Sequence, residues 1–483
     1  MGLVGILLAL AVLVWLSFRG WSVLVLAPFA ALLAALLSGE PLLAHWTQTF
    51  MGAAAGFLAQ FFPLFLLGAL FGKLMEDSGS VTAIADFMTE KLGPRRAVLA
   101  VVLAGALVTY GGVSLFVAFF VIGPMAQALF RAADVPGRLM PGAIILGTST
   151  FTMSALPGTP SIQNAIPMPF FGTTPFAAPG LGIVAAAIML GFGLWWLARA
   201  EAAARRKGEG FGEPTVAADA AAEDPLVRER ATTAAAFDPR EMRSGRRGTG
   251  RPRIVSATLP LAAVVLVNLT MSLVVLPRLD TAFLATDAWG GIALSQVSGV
   301  WSVIVALTAA ILLLVALHWR RLPNLRESVD AGANASALPV LSVSSLVGFG
   351  AVVAALPAFT LVRDWVLSIE GGPLVSLAVA INVLAALTGS ASGGMTIALG
   401  ALGDTYMQLA AQLGIDPGLM HRVAVIGAGT LDTLPHNGAV VTLLAVCGAT
   451  HRKSYFDIFM AGVVGPVLAL VAVIALGSAF GSF

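Results

Sequence analysis

Gly429-Thr430-Leu431-Asp432-Thr433-Leu434-Pro435-His436-Asn437-Gly438-Ala439-Val440-Val441-Thr442-Leu443-Leu444-Ala445-Val446-Cys447 decides how the whole chain is read. Apolar, helix-forming sequence runs into this stretch and out of it. Its middle holds a carboxylate, an imidazole, an amide, a proline and a glycine. Hydrocarbon satisfies none of these groups, nor the carbonyls that Pro435 and Gly438 leave without a helical donor. Broken backbone at membrane depth is tolerated where it lines protein or a water-filled cavity, which is where transporters hold substrates and ions. The competing reading is a proline-kinked helix whose polar groups only bond its neighbours. An ionisable residue inside a span favours a site.

The surrounding composition agrees with a membrane setting. Of 483 residues, 58% are hydrophobic and 11% charged, and the mean hydropathy is +0.92. Soluble domains carry about 25% charge. Apolar runs of about 20 residues recur, as in helical membrane proteins, and they do not alternate as barrel strands do. The net charge of +2 gives no reason to expect nucleic acid as a partner. The single cysteine, Cys447, excludes an internal disulfide and a cysteine-based metal site, and reads as a packing residue. Residues 3–18 lack a basic leader and a small-residue cleavage site, so they are expected to be a retained span.

Spans are expected at 3–18, 21–38, 50–75, 138–172 and 176–199, then at 254–276, 290–317, 337–363, 418–447 and 457–480. Residues 79–93 alternate apolar and charged positions and read as a surface helix. Residues 97–130 hold two apolar arms around Tyr110-Gly111-Gly112-Val113-Ser114, the first too short to span, and so read as a re-entrant hairpin. Residues 372–412 read the same way, with a tip at Gly389-Ser390-Ala391-Ser392-Gly393-Gly394. Two spans are broken, at Pro157-Gly158-Thr159-Pro160 and at Pro435. Residues 200–253 carry eleven Lys/Arg and nine Asp/Glu without apolar periodicity and read as a solvated linker.

A shift of 278 positions superposes Gly111 on Gly389, Ser114 on Ser392 and Leu156-Pro157 on Leu434-Pro435. The fold expected is therefore an all-α polytopic membrane protein with two repeats, 1–199 and 254–483, joined by a cytoplasmic linker at 200–253. Each repeat has about five transmembrane helices, a re-entrant hairpin and a broken helix. Five crossings per repeat invert the second against the first. With the linker inside, 24 of the 27 basic residues face the cytoplasm, leaving only Arg278, Arg363 and Arg422 outside.

Four polar breaks are then expected to meet near the midplane. Gly111, Gly112 and Ser114 at one tip, and Ser390, Ser392, Gly393, Gly394 and Thr396 at the other, offer backbone N–H groups, helix N-termini and hydroxyls suited to a small carboxylate. Thr152, Ser154, Gly158, Thr159, Ser161 and Asn164 come from the first broken span. Asp432, Thr433, His436 and Asn437 come from the second. Asp432 and His436 are the titratable pair at a break, and either could carry a coupling proton; the carboxylate with free carbonyls could instead hold Na⁺. No Arg or Lys is expected at a break. Lys73, Glu76 and Asp77 are expected to snorkel or pair at a span end, and Asp404 to lie away from the site. Neither a catalytic residue, a metal nor a cofactor is expected.

Gly389-Ser390-Ala391-Ser392-Gly393-Gly394-Met395-Thr396-Ile397-Ala398-Leu399 and Leu434-Pro435-His436-Asn437-Gly438-Ala439, with Thr450-His451-Arg452-Lys453-Ser454-Tyr455, resemble the gluconate permease (GntP) family of the ion-transporter superfamily. The resemblance implies a bacterial inner-membrane symporter for small hydroxy- or sugar-acids, proton-coupled, working as a homodimer with an elevator-like transport domain. The gluconate branch carries an Arg shortly before a Gly-Ser-Ala-Thr-Val-Ala tip. Here the tip has no Arg before it, and the His-Asn-Gly-Ala stretch is closer to members assigned to 3-hydroxybutyrate. D-3-hydroxybutyrate is therefore expected ahead of gluconate or glycerate. A serine–histidine hydrolase built on Ser392 and His436 is the alternative of another class. It lacks the glycine spacing of rhomboid-type proteases and leaves the repeat without purpose. A channel or exchanger on the same fold is a third.

Overall fold

The computed structural model describes residues 2–212, 228–229, 238, 240–241 and 250–483; most of the linker lies outside them. Among the described residues the structure is helical, with no strand. Among the described residues seven helices are long and apolar enough to cross a bilayer, or eight if the bent pair Ser80–Leu92 and Pro94–Tyr110 is one span: Leu42–Asp77, Leu115–Ala132, Pro179–Arg206, Ile254–Arg278, Leu294–Arg321, Leu325–Ala355 and His451–Phe480. Gly2–Phe18 and Val23–Ser38 are apolar but shorter, at 17 and 16 residues.

Both hairpins form where the glycine-rich tips place them. Ala97–Tyr110 ends at Gly111, Gly112 takes a φ of 98°, and Leu115–Ala132 leaves from Ser114. Pro373–Thr388 ends on Gly389 in the left-handed region (φ 64°), and Ala391–Leu413 leaves from Ser390. A side chain at either positive-φ position would be strained, so glycine lets the chain reverse within a few residues. Ser80–Leu92 meets the first hairpin arm at a bend of 101°.

The boundaries of two spans differ most from the sequence reading. The span expected at 337–363 runs instead over Leu325–Ala355, and Phe359–Leu367 is a separate helix. Pro357 has no N–H to continue the ladder, while the Asn324 side chain caps the start by accepting from Glu327 N at 3.4 Å. The span expected at 50–75 begins at Leu42, through a π-helical turn at His45–Phe50.

The helices form two packed layers. One holds Leu42–Asp77 and Leu325–Ala355 lying against each other, with Val23–Ser38 on the second of these and Leu294–His318 on the first. Each long helix thus receives a partner from the opposite half of the chain. The other layer holds both hairpins, both broken spans, Pro179–Arg206 and Gly465–Phe480. Small residues set the contact between layers. A Cβ on Gly72 would lie 3.6 Å from Ser114 N, and one on Gly350 would lie 3.1 Å from Ile397 Cγ2. Positions 72 and 350 are 278 apart, so the offset that aligns the tips also aligns the glycines beneath them.

Candidate functional site

The first tip sits on the first break. Met140–Thr148 stops at Ser149, a single turn forms at Phe151–Ser154, and helix resumes only at Ile162–Ala165. Gly158 takes a φ of 81°; its N–H donates to Pro175 O at 2.9 Å and its carbonyl accepts from Asn268 Nδ2 at 3.1 Å. Tyr110 Oη donates to Pro157 O at 2.8 Å and Thr109 Oγ1 lies 3.2 Å from Thr152 Oγ1. Gly112 rests against Pro160 and Gly111 against Leu261. Beside these contacts lies a half-open cavity of about 70 Å³, lined by Thr109, Gly112, Ser114, Met153, Ser161 and Gln163 among others. The Gln163 side chain is buried, and its Oε1 has no hydrogen-bond partner among the described residues. Ser114 Oγ accepts from Phe116 N at 3.4 Å, a long bond that leaves the hydroxyl hydrogen for another acceptor.

The second tip sits on the second break and is sealed. Ser390 and Ser392 are buried, with their hydroxyls 3.2 Å apart, and Ser390 Oγ accepts from Gly393 N at 3.1 Å. Asp432 Oδ1 accepts from Ala391 N at 2.9 Å and from Asn437 Nδ2 at 2.8 Å. Asn437 also donates to Gly389 O at 2.9 Å and caps the helix Gly438–Val446 through Ala439 N. His436 Nε2 lies 3.0 Å from Ala386 O, at the end of the incoming arm. Asp432 thus meets the N-terminus of one arm and His436 the C-terminus of the other, the polarity that helix dipoles favour for an anion and an N–H donor. Gly394 lies flush on the backbone of Ala385, so the arms approach where a side chain would not fit.

Several expected donors are spent on their own helix. Thr396 Oγ1 bonds to Ser392 O and Ser154 Oγ to Thr150 O. Thr159 is buried, with Oγ1 accepting from Ser161 N at 3.4 Å. Thr433 Oγ1 is buried and has no hydrogen-bond partner among the described residues, packed beside Gly462. Asp404 is exposed on the outgoing arm, away from the tip.

The four breaks form one contiguous run, as two tip-and-break pairs joined at a seam. A Cβ on Gly429 would lie 3.2 Å from Ser154 Cβ, so the broken spans touch. Two residues that sequence reasoning missed hold this seam. Arg422 was expected outside, and no cation was expected at a break; instead its side chain is fully buried, donating to Ala177 O (3.2 and 2.6 Å) and Ser154 O (3.3 Å). His421 is also fully buried, with Nε2 3.1 Å from Asn164 Oδ1 and Nδ1 2.6 Å from Thr173 Oγ1. Asn164 Nδ2 in turn donates to Thr159 O and Pro175 O. The first half's loop therefore hangs on the second half's helix Pro417–Thr430. A His-Arg pair seven residues before a glycine-rich break was the available signal. It reads as the outer end of the span expected at 418–447 until the first half's residues are seen to pack over it.

Parts of this sequence are similar to known proteins. Residues 1–168 match the GntP family permeases, and residues 164–435 match the Na⁺/H⁺ antiporter family. An uncharacterized transporter of Bacillus subtilis, YxjC, is 40% identical over 488 residues, covering 100% of both chains. The chain is a transporter of the GntP permease family. A high-affinity gluconate transporter of Escherichia coli is 30% identical over 142 residues, 28% of this chain and 30% of that one. An uncharacterized transporter of Haemophilus influenzae is 36% identical over 93 residues, 19% of this chain. The two family matches meet at residues 164–168, inside the loop that His421 and Arg422 hold in this transporter.

Proposed function

We propose that this transporter is a secondary active importer of a small hydroxy-monocarboxylate, with D-3-hydroxybutyrate the first substrate to test and gluconate or glycerate the alternatives. The observation that carries the reading is the first-tip cavity, with the orphaned Gln163 Oε1 and the Ser114 hydroxyl on its wall. A buried amide oxygen without a donor is costly, and a substrate hydroxyl supplies the missing hydrogen bond. The substrate carboxylate is met by backbone N–H groups at the start of Leu115–Ala132 and by the field of Arg422.

The two halves are proposed to be inverted copies. The hairpin layer then moves against the long-helix layer and exposes the tips to one side at a time. Asp432 holds the second tip against its break during this movement. Uptake is coupled to H⁺, with Na⁺ as the alternative. Proteoliposomes under an imposed ΔpH or Na⁺ gradient, offered 3-hydroxybutyrate, gluconate, lactate and glycerate, test the reading. Concentrative uptake of a small hydroxy-acid that a protonophore abolishes supports it. Passive equilibration of every acid defeats it, and a strong preference for gluconate replaces the first substrate by the alternative.

A further inference from the structure

The inner end of the helix Met51–Asp77 carries a charge cluster that no step above uses. Lys73, Glu76 and Asp77 are 1%, 4% and 0% exposed. Lys73 Nζ lies 3.0 Å from Asp77 Oδ1 and 3.5 Å from Glu76 Oε2. The sequence reading has these groups snorkel or pair at the span end; they do pair, and the pair is packed inside. Gly72, next to Lys73, faces Ser114 N at the first tip, so the cluster begins where the cavity wall ends.

The fold itself does not require these charges. The 278-residue offset puts Ala351, Ala354 and Ala355 opposite Lys73, Glu76 and Asp77, and the second half builds the same long helix with them. Aliphatic residues in place of a buried ion cluster are often neutral or stabilising, so the charges point to a role beyond packing. Asp77 is the exceptional member. Despite the nearby ammonium, neither of its carboxylate oxygens accepts a hydrogen bond of good geometry. Among the described residues its close cation is the Lys73 ammonium at 3.0 Å, so this buried carboxylate is held by a single ion pair.

We propose that the Lys73–Glu76–Asp77 cluster is the proton-coupling site, with Asp77 taking the transported proton beneath the first tip. This rests on the substrate reading above. The step is a simple balance: the Asp77 carboxylate accepts one proton from one side of the membrane and releases it to the other, with no covalent change. A metal cation is disfavoured there because the Lys73 ammonium already occupies the position of a cation between the carboxylates. Among the described residues no group of three acidic, histidine or cysteine side chains is suited to a metal.

Among the described residues, the titratable groups on the elements packed against this helix are the following. On the turn His45–Phe50, His45 lies 3.9 Å from Glu40. On Ser80–Leu92, Asp86 pairs with Arg251 at 2.9 Å, and Glu90 and Lys91 lie in its last turn. On Leu325–Ala355, Arg326 and Asp330 pair at 3.7 Å and are exposed, as is Glu327. Leu115–Ala132 carries only Arg131, at its far end above the Phe211 ring. Leu294–His318 carries only the buried His318, in its last turn.

The experiment compares ΔpH-driven accumulation with substrate counterflow in proteoliposomes for wild type, Asp77→Asn and Asp77→Glu. Asparagine imitates the protonated acid. Asp77→Asn should lose accumulation at least tenfold while keeping counterflow within about twofold, and Asp77→Glu should retain both. Full accumulation by Asp77→Asn, or loss of counterflow together with accumulation, overturns the assignment. Should wild type itself fail to accumulate any hydroxy-acid, the substrate reading fails instead, so the two failures are distinguishable.

Discussion

Asp432→Ala tests the claim that the second break holds the second tip shut. Asp432 Oδ1 accepts from Ala391 N at 2.9 Å and from Asn437 Nδ2 at 2.8 Å. A hydrogen bond to a charged acceptor contributes about 1.5–3 kcal/mol. Alanine removes both, but Asn437 keeps its bond to Gly389 O, so its loss is partial. The closed tip should therefore lose about 2–3 kcal/mol, a roughly 30- to 150-fold change in the closed-to-open ratio. Asp432→Asn keeps an acceptor oxygen without the charge and should cost about 1 kcal/mol. The readout is the labelling rate of Ser392→Cys by a water-soluble maleimide, with the native Cys447 replaced by alanine. Ser392 is buried behind the closed tip, so labelling follows the open population. Labelling at least tenfold faster in the Asp432→Ala background, with Asp432→Asn between it and wild type, is the expected order. Equal rates in all three backgrounds would refute the latch, and Asn as fast as Ala would show that charge alone matters.

Gln163→Leu should raise the melting temperature by relieving the orphaned Oε1, equivalent to about 1–2 kcal/mol, while weakening substrate binding at least tenfold; thermal scanning and counterflow measure the two sides. Gly394→Ala should lower the melting temperature by several degrees, because the added methyl meets the Ala385 backbone, whereas Gly400→Ala meets nothing within 4 Å and should be neutral or slightly stabilising. Arg422→Met leaves Ala177 O and Ser154 O without their donor and should cost about 2–4 kcal/mol; Arg422→Lys, which keeps one donor and the charge, should cost less. Equal stability of the methionine and lysine variants in detergent would remove the brace.

Much of the fold was legible because its punctuation is local. Proline removes a donor at Pro157, Pro357 and Pro435, and glycine reverses the chain at Gly112 and Gly389, whatever surrounds them. The hairpins, both broken spans and the internal offset followed from that. The site was legible in part. Gly112, Ser114, Ser390, Ser392, Asp432 and Asn437 fall at the two tips and breaks as read. Thr396 and Ser154 looked equally available, yet their hydroxyls turn back to their own helices. A hydroxyl's direction depends on rotamer and neighbours, which spacing does not encode.

The sequence by itself therefore determined a helical membrane chain with polar interruptions at definite positions, since hydrocarbon permits unpaired backbone only where residues such as proline and glycine make it unavoidable. Only the tertiary structure decided which charges lie inside. Arg422 reaches Ser154 across 268 residues, and Lys73, Glu76 and Asp77 are buried rather than exposed at a span end. Burial is a property of what other segments do, and a charged residue near a span boundary reads the same whether its neighbours open to water or close over it.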